Sequence, residues 1–355
     1  MGVFVRNFDQ INKDMSQECG GKASHLGELT SLHLNVPKGF CVTAEAFSQH
    51  LKRNRLDEQI MEIARDIDYD NFQDLEQKTG QIRSLIDSAV VPPEIEKEII
   101  ENYQGLLADD PEPFVAVRSS VAVRESPISS FPGMMDTYYY LRGAQTIVSN
   151  VKKCWASVWS ARAAATRKTK GVEHAKAIIA PVVQKMVNAR SAGVMFTLNP
   201  LNGDRSKIVI EGCWGLGESV VSGALTPDKF LVDKVMLEIN ERNIFPKTVE
   251  CVFNPEKCKA VNAEVAPDLQ NTPCLDDREI KELVGLAKRI EKHYGYPQDI
   301  EWAIEKDLPF PENVHILQAR AESVWSKRDK KSIIGGKTGY ELLMEKALST
   351  IKVKL

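Results

Sequence analysis

Arg118 ends a short apolar stretch, Phe114-Val115-Ala116-Val117-Arg118, and is followed at once by Ser119 and Ser120. Val115 and Val117 suit the buried face of a strand, and Ala116 shares the opposite face with Arg118. A guanidinium meets phosphate oxygens in a fork, and serine hydroxyls and loop amides add donors, so the stretch suits a bound polyphosphate. A surface ion pair beside an ordinary loop fits the same residues. Near the start of the chain, Gly20-Gly21-Lys22 opens a helical pattern. Glycines admit close backbone approach and helix N-termini attract anions, which makes Lys22 a second candidate phosphate contact. A solvated lysine at a helix start is the plainer alternative, and the spacing is not that of a P-loop. His25 reads as a surface or helix-packing residue.

A third group lies near the C-terminal end. In the stretch from Asp299 to Glu305, alternation puts Asp299, Glu301 and Ala303 on one face of a strand. In the stretch from Val314 to Arg320 it puts Ile316, Gln318 and Arg320 together. A hairpin centred near Pro309 and Phe310 sets Glu301 opposite Gln318 and Asp299 opposite Arg320. A carboxylate and an amide oxygen are hard ligands that suit Mg²⁺ together with phosphate oxygens, with Arg320 on the terminal phosphates. The alternative is a simple Asp299–Arg320 cross-strand pair, worth roughly 0.2–1 kcal/mol.

These groups need a scaffold. Residues 43–107 read as helices, with Thr43 as an N-cap and Pro92-Pro93 starting a new helix. A long amphipathic helix is expected over 145–170, with Trp155 and Trp159 as core. Residues 177–187 read as one buried strand, whose Gln184, Lys185, Met186 and Val187 offer backbone groups and one amide to a base such as adenine. Residues 191–200 and 207–210 read as a hairpin pair around Leu201-Asn202-Gly203-Asp204. Glu211 opens a glycine-rich stretch that lacks the dinucleotide fingerprint. A helix from Asp276 to Tyr294 is expected to be capped near 274–277. Residues 326–355 form a charged and glycine-broken tail, read as a docking segment or a disordered end.

The chain has 355 residues, 43% hydrophobic and 27% charged, with a net charge of −3. That length calls for two lobes, and that charge gives no support to nucleic-acid or membrane partners. No apolar run reaches transmembrane length, and the start lacks the basic-then-apolar order of a signal peptide. Arg6 stands where a myristoylation signal wants Ser or Thr. Seven cysteines without a C-x-x-C pair read as reduced cytoplasmic thiols.

In sequence order the chain contains Gly-Gly-Lys-Ala-x-x-Leu-Gly-Glu, Val-Arg-Ser-Ser, Phe-Pro-Gly-Met-Met-Asp-Thr, Val-Val-Gln-Lys-Met-Val, Gly-Val-Met-Phe-Thr, Trp-Gly-Leu-Gly-Glu, Thr-Pro-Asp, Asp-Ile-Glu-Trp and Leu-Gln-Ala-Arg. Together they resemble the ATP-grasp nucleotide-binding domain of phosphoenolpyruvate synthase, pyruvate phosphate dikinase and rifampicin phosphotransferase, over roughly residues 10–325. The resemblance implies an α+β or α/β fold of two lobes, 1–185 and 186–325, with the nucleotide cleft between them. It implies ATP and Mg²⁺ as cofactors. Lys22, Arg118 and Arg320 would hold phosphates, and Gly133, Met134, Met135, Asp136 and Thr137 would close over them as a loop. Gln184 to Val187 would border adenine, with Glu211 near the ribose, and Glu301 and Gln318 would bind the metal. Members split ATP into AMP and phosphate and pass the β-phosphoryl through a histidine on a mobile domain. The phosphohistidine motif is missing from these residues, His25 and His174 lacking its context, and Arg124 and Glu125 depart from the usual loop. The chain therefore looks like one subunit of a split dikinase with a separate histidine subunit, similar to the ATP-binding subunit of phenylphosphate synthase, whose acceptor is phenol. A piece of a phosphoenolpyruvate synthase-like or rifampicin phosphotransferase-like enzyme is the second expectation, and a non-catalytic ATP-binding regulator the third.

Overall fold

Two antiparallel sheets, each backed by helices on one face, hold the two main apolar cores. The computed structural model describes residues 3–106, 113–123, 136–217, 220, 223, 225–254, 256, 259–322 and 324–325. The loop residues Gly133, Met134 and Met135, together with Arg124, Glu125 and the 326–355 tail, lie outside them.

The chain begins with β1 (Val5–Asn7), α1 (Ser16–Ser31) and β2 (Gly39–Val42). Four helices follow: α2 (Ala44–Arg53), α3 (Leu56–Arg65), α4 (Phe72–Ser88) and α5 (Pro93–Gly105). The Thr43 hydroxyl caps α2 by accepting from the Ala46 amide, and Pro93 occupies the first turn of α5, where no amide donor is needed. Then come β3 (Val115–Arg118), β4 (Val121–Val123), β5 (Thr137–Leu141), α6 (Ala144–Ala156) and α7 (Ala161–Thr169). The expected single helix over 145–170 is broken, because Ser160 leaves helical geometry and caps α7 through the Ala163 amide. Trp155 and Trp159 are core, as the helical spacing required.

Residues 177–187 are likewise divided. Pro181 cannot donate to a ladder, and the stretch splits into β6 (Ala177–Ile179), paired with β4, and β7 (Val182–Lys185). The first sheet runs β1-β2-β7-β3-β5. Val115, Val117 and Val183 enter its helix-backed core, which leaves Ala116 and Arg118 on the other face.

The second sheet contains β8 (Ala189–Phe196), β9 (Lys207–Trp214), β10 (Asp228–Asp233), β11 (Ile239–Asn243), β14 (Gln298–Glu305) and β15 (Val314–Ala321), in the order β11-β10-β9-β8-β14-β15. A small hairpin, β12 (Val249–Asn254) with β13 (Lys259–Glu264), precedes α8 (Asp277–Tyr294). Asp276 caps α8 in a reciprocal box with Glu279. Glu211 falls within β9 rather than opening a loop. Leu29 and Leu34, at the end of α1 and just after it, pack into the second core. Among the described residues no helix is long and apolar enough to cross a membrane.

The hairpin register is the expected one, with Asp299 opposite Arg320 and Glu301 opposite Gln318. The face assignment on β15 differs. The register shifts between Glu301 and Trp302, so that Trp302 pairs with Ile316 and Leu317 is the extra residue. This bulge reverses the alternation. Ile316 goes into the core, while Gln318 and Arg320 line a cleft on the other face.

Candidate functional site

That cleft, of about 720 Å³, is walled by the inner faces of both sheets. Its volume lies within the usual range of small-molecule sites, roughly 300–1,000 Å³. Lys22, Arg118, Thr137, Gln184, Lys185, Met186, Val187, Glu211, Glu301, Gln318 and Arg320 all line it. Asp136 adjoins Thr137 and accepts from the Tyr138 hydroxyl at 3.2 Å. A separate cavity of about 550 Å³, beside β2 and α5, contains none of these residues.

Arg118 spans the cleft. One terminal nitrogen donates to Glu301 Oε2 at 2.9 Å and to Gln318 Oε1 at 3.1 Å. The other donates to Gln184 Oε1 at 3.2 Å and to the Leu317 carbonyl at 3.3 Å. The bulge turns that carbonyl toward the arginine, so a local irregularity in β15 serves a residue on the other sheet. Gln184, expected at a base, has its amide committed here, because its Nε2 also donates to the Pro37 carbonyl at 3.4 Å. The neighbouring Lys185 and Met186 amides donate to the Lys38 and Phe114 carbonyls.

Lys22 stands on α1 just past a break. Gly20 has φ +71, the left-handed region, so the helix restarts at Gly21 and Lys22 lies in its first turn. Its ammonium makes no hydrogen bond among the described residues. Desolvation in the cleft, then the nearby Arg118 charge, push its pKa down to about 7, while Glu301 opposes the shift. Arg320 pairs with Asp299 at 2.7 Å, its side chain half exposed and that of Asp299 mostly covered. Burial raises the Asp299 pKa, with Arg320 pulling the other way. The expected cross-strand pair and the expected cleft position are thus both present.

Three cations from α1, β3 and β15 therefore converge on two carboxylates of β14. Such an arrangement can neutralise a polyphosphate and supply hard oxygen ligands to a cation. Glu211 sits on the same wall, 3.6 Å from Lys229. Groups of three or more His, Cys, Asp or Glu able to hold a metal are absent among the described residues.

Sequence reasoning gave no site role to Asp299, His25 or Leu317, which also line the cleft. Asp299 was legible from its spacing to Glu301. His25, whose Nδ1 is 3.2 Å from the Tyr294 hydroxyl, lines the cleft because it is nearly one turn beyond Lys22. Leu317 had no signal, since bulges leave little trace in alternation.

Residues 16–338 match the family model described as pyruvate phosphate dikinase, AMP/ATP-binding domain. The chain belongs to that family. Among curated proteins it is 41% identical to one named "Probable phosphoenolpyruvate synthase" from Staphylothermus marinus, covering 97% of this chain and 45% of that protein. It is 39% identical to "Phosphoenolpyruvate synthase" from Aeropyrum pernix, with 91% of this chain and 43% of that protein covered. The corresponding protein of Pyrococcus furiosus is 37% identical, over 89% and 43% respectively. The chain thus spans less than half the length of these relatives.

Proposed function

We propose that this chain is the ATP-binding and ATP-cleaving part of a phosphoenolpyruvate synthase-like dikinase. The cleft is that of a two-lobed ATP-grasp fold, with lobes 1–185 and 186–325. Lys22, Arg118 and Arg320 hold the phosphates. Lys185 to Val187 border the adenine with their backbone, and Glu211 lies toward the ribose. Asp136 and Thr137 belong to the loop that approaches the phosphates.

The observation that carries this reading is the Arg118 bridge, which joins the strand of the Val-Arg-Ser-Ser motif to Glu301 and Gln318 on the opposite sheet. The donor set fits Mg²⁺: a carboxylate and an amide oxygen, facing cations suited to phosphate. Glu301 and Gln318 would hold the ion, which when bound would supply neutralisation of phosphate charge. The protein's own part is then positioning and electrostatic stabilisation, with the cationic side chains oriented before ATP arrives. The β-phosphoryl goes to a histidine on another domain or subunit. The relatives carry the phosphoenolpyruvate synthase name, so the acceptor proposed is of that type, and the phenol expected from the likeness to phenylphosphate synthase is set aside.

ATP labelled separately at the β and γ positions tests this, in the presence of the histidine-bearing protein. Label from γ should appear as free phosphate and label from β on the histidine, with AMP formed. Release of ADP, or binding without turnover as a regulator would show, contradicts it.

A further inference from the structure

Ser120 lies two residues after Arg118 and is 2% exposed. Its hydroxyl donates to the Cys19 carbonyl at 3.1 Å and accepts from the Lys22 amide at 3.1 Å. The Ala23 amide approaches the same oxygen at 3.5 Å. Its own carbonyl accepts from the Ala180 amide at 2.8 Å, which fixes the residue from behind. The break at Gly20 is what allows this contact. A Cβ on Gly20 would stand 2.3 Å from Ser120 Oγ and 2.7 Å from the Ser120 carbonyl oxygen. Two amides that open the restarted helix are therefore taken by a side chain from a distant part of the chain. Helix starts are usually capped by a residue just before them. Here the cap comes instead from the loop that Arg118 begins. An anion in the cleft then meets the Lys22 side chain rather than those two amides.

We propose that Ser120 is a positioning residue, which by capping the helix of Lys22 from the Arg118 loop sets the two cationic side chains at a fixed spacing. The inference rests on reading both as phosphate ligands. The charges of Arg118 on β3, Glu301 on β14 and Arg320 on β15, and the Cys154 thiol of α6, act on the Lys22 ammonium. Its low pKa reflects that enclosure, and any slack in the helix start releases it toward solvent.

Acylation of Lys22 in the whole chain, followed by mass spectrometry across pH, reads this directly. In the wild type the labelling rate should inflect near 7. In Ser120→Ala the inflection should rise by about one pH unit or more as the ammonium gains solvent. Ser120→Cys, nearly isosteric and a weaker hydrogen-bonding group, should give a smaller rise. Ser84→Ala, which removes an exposed hydroxyl from α4, should leave the inflection in place. A folded Ser120→Ala or Ser120→Cys protein with the wild-type inflection and only a lower Tm overturns the proposal, since a merely structural serine would behave that way. The phosphate reading is tested separately by ATP protection of Lys22 in the wild type. Labelling that ATP does not slow removes Lys22 from the nucleotide site while leaving the positioning result to stand.

Discussion

Arg118 and Glu301, on different sheets and 183 positions apart, form an ion pair at 2.9 Å. Both side chains are largely covered, 14% and 23% exposed, so the pair is less screened by solvent than a surface one. Gln318 shares the same guanidinium nitrogen. The oxygens that a divalent cation would use are thus the ones the arginine holds. Arginine and cation compete for them unless the guanidinium turns to a phosphate.

That competition gives Glu301→Gln a definite signature. The substitution keeps an oxygen for Arg118 but removes the charge a cation needs. Mg²⁺ titrated at fixed ATP should show its half-saturation point raised by about 10–100-fold, as for losses at other metal sites. An unshifted curve removes Glu301 from the metal site.

Arg320→Ala separates chemistry from stability. The Arg320 side chain is half exposed, and surface ion pairs contribute about 0–1 kcal/mol, so Tm should move little. Turnover in the reconstituted system should fall by about 10²–10³, the scale set by losing one electrostatic contact to the transition state. Retained activity rules out a phosphate role for it.

Lys22 makes stability and nucleotide affinity run in opposite directions with pH. Its pKa is lowered from 10.5 to about 7 in the folded chain. Between those values the unfolded chain binds the proton that the native chain has lost, so its contribution to stability rises with pH. The charged form that ATP requires disappears over the same window. ATP affinity should therefore weaken from pH 6.5 to 8.5, and Lys22→Met should flatten that dependence while raising Tm at pH 7. Calorimetric titration across pH decides it, and an unchanged slope in Lys22→Met refutes it.

Gln184→Leu probes whether Gln184 orients Arg118 or reads the base. Its amide orients Arg118 and touches the Pro37 carbonyl. ATP affinity should drop about 5- to 30-fold, corresponding to one or two kcal/mol for a lost charged-group hydrogen bond. The preference for ATP over GTP should stay the same. A changed preference returns Gln184 to the base.

Much of the site was legible because it rests on short-range pattern. Alternation and one turn position fixed the register of Asp299, Glu301, Gln318 and Arg320. Glycines followed by a lysine marked a helix start, and Gly20 does break α1. What escaped were features set by tertiary partners. The bulge at Leu317 exists to fit both the core under Ile316 and the cleft at Gln318, and alternation alone assumes no such insertion. Ser120 caps a helix far from it in sequence, which no local capping signal records. Pro181 and Ser160 were visible residues, yet hydrophobic periodicity ran through both and concealed the breaks.

The most direct measurement is equilibrium binding of ATP, with excess Mg²⁺, to wild-type protein and to Arg118→Met, with circular dichroism confirming equal folding. Affinity at least about 30-fold weaker in the variant, near 2 kcal/mol, is expected if the arginine joins both walls of the cleft around the phosphates. Equal affinity in the two proteins would mean that ATP binds elsewhere.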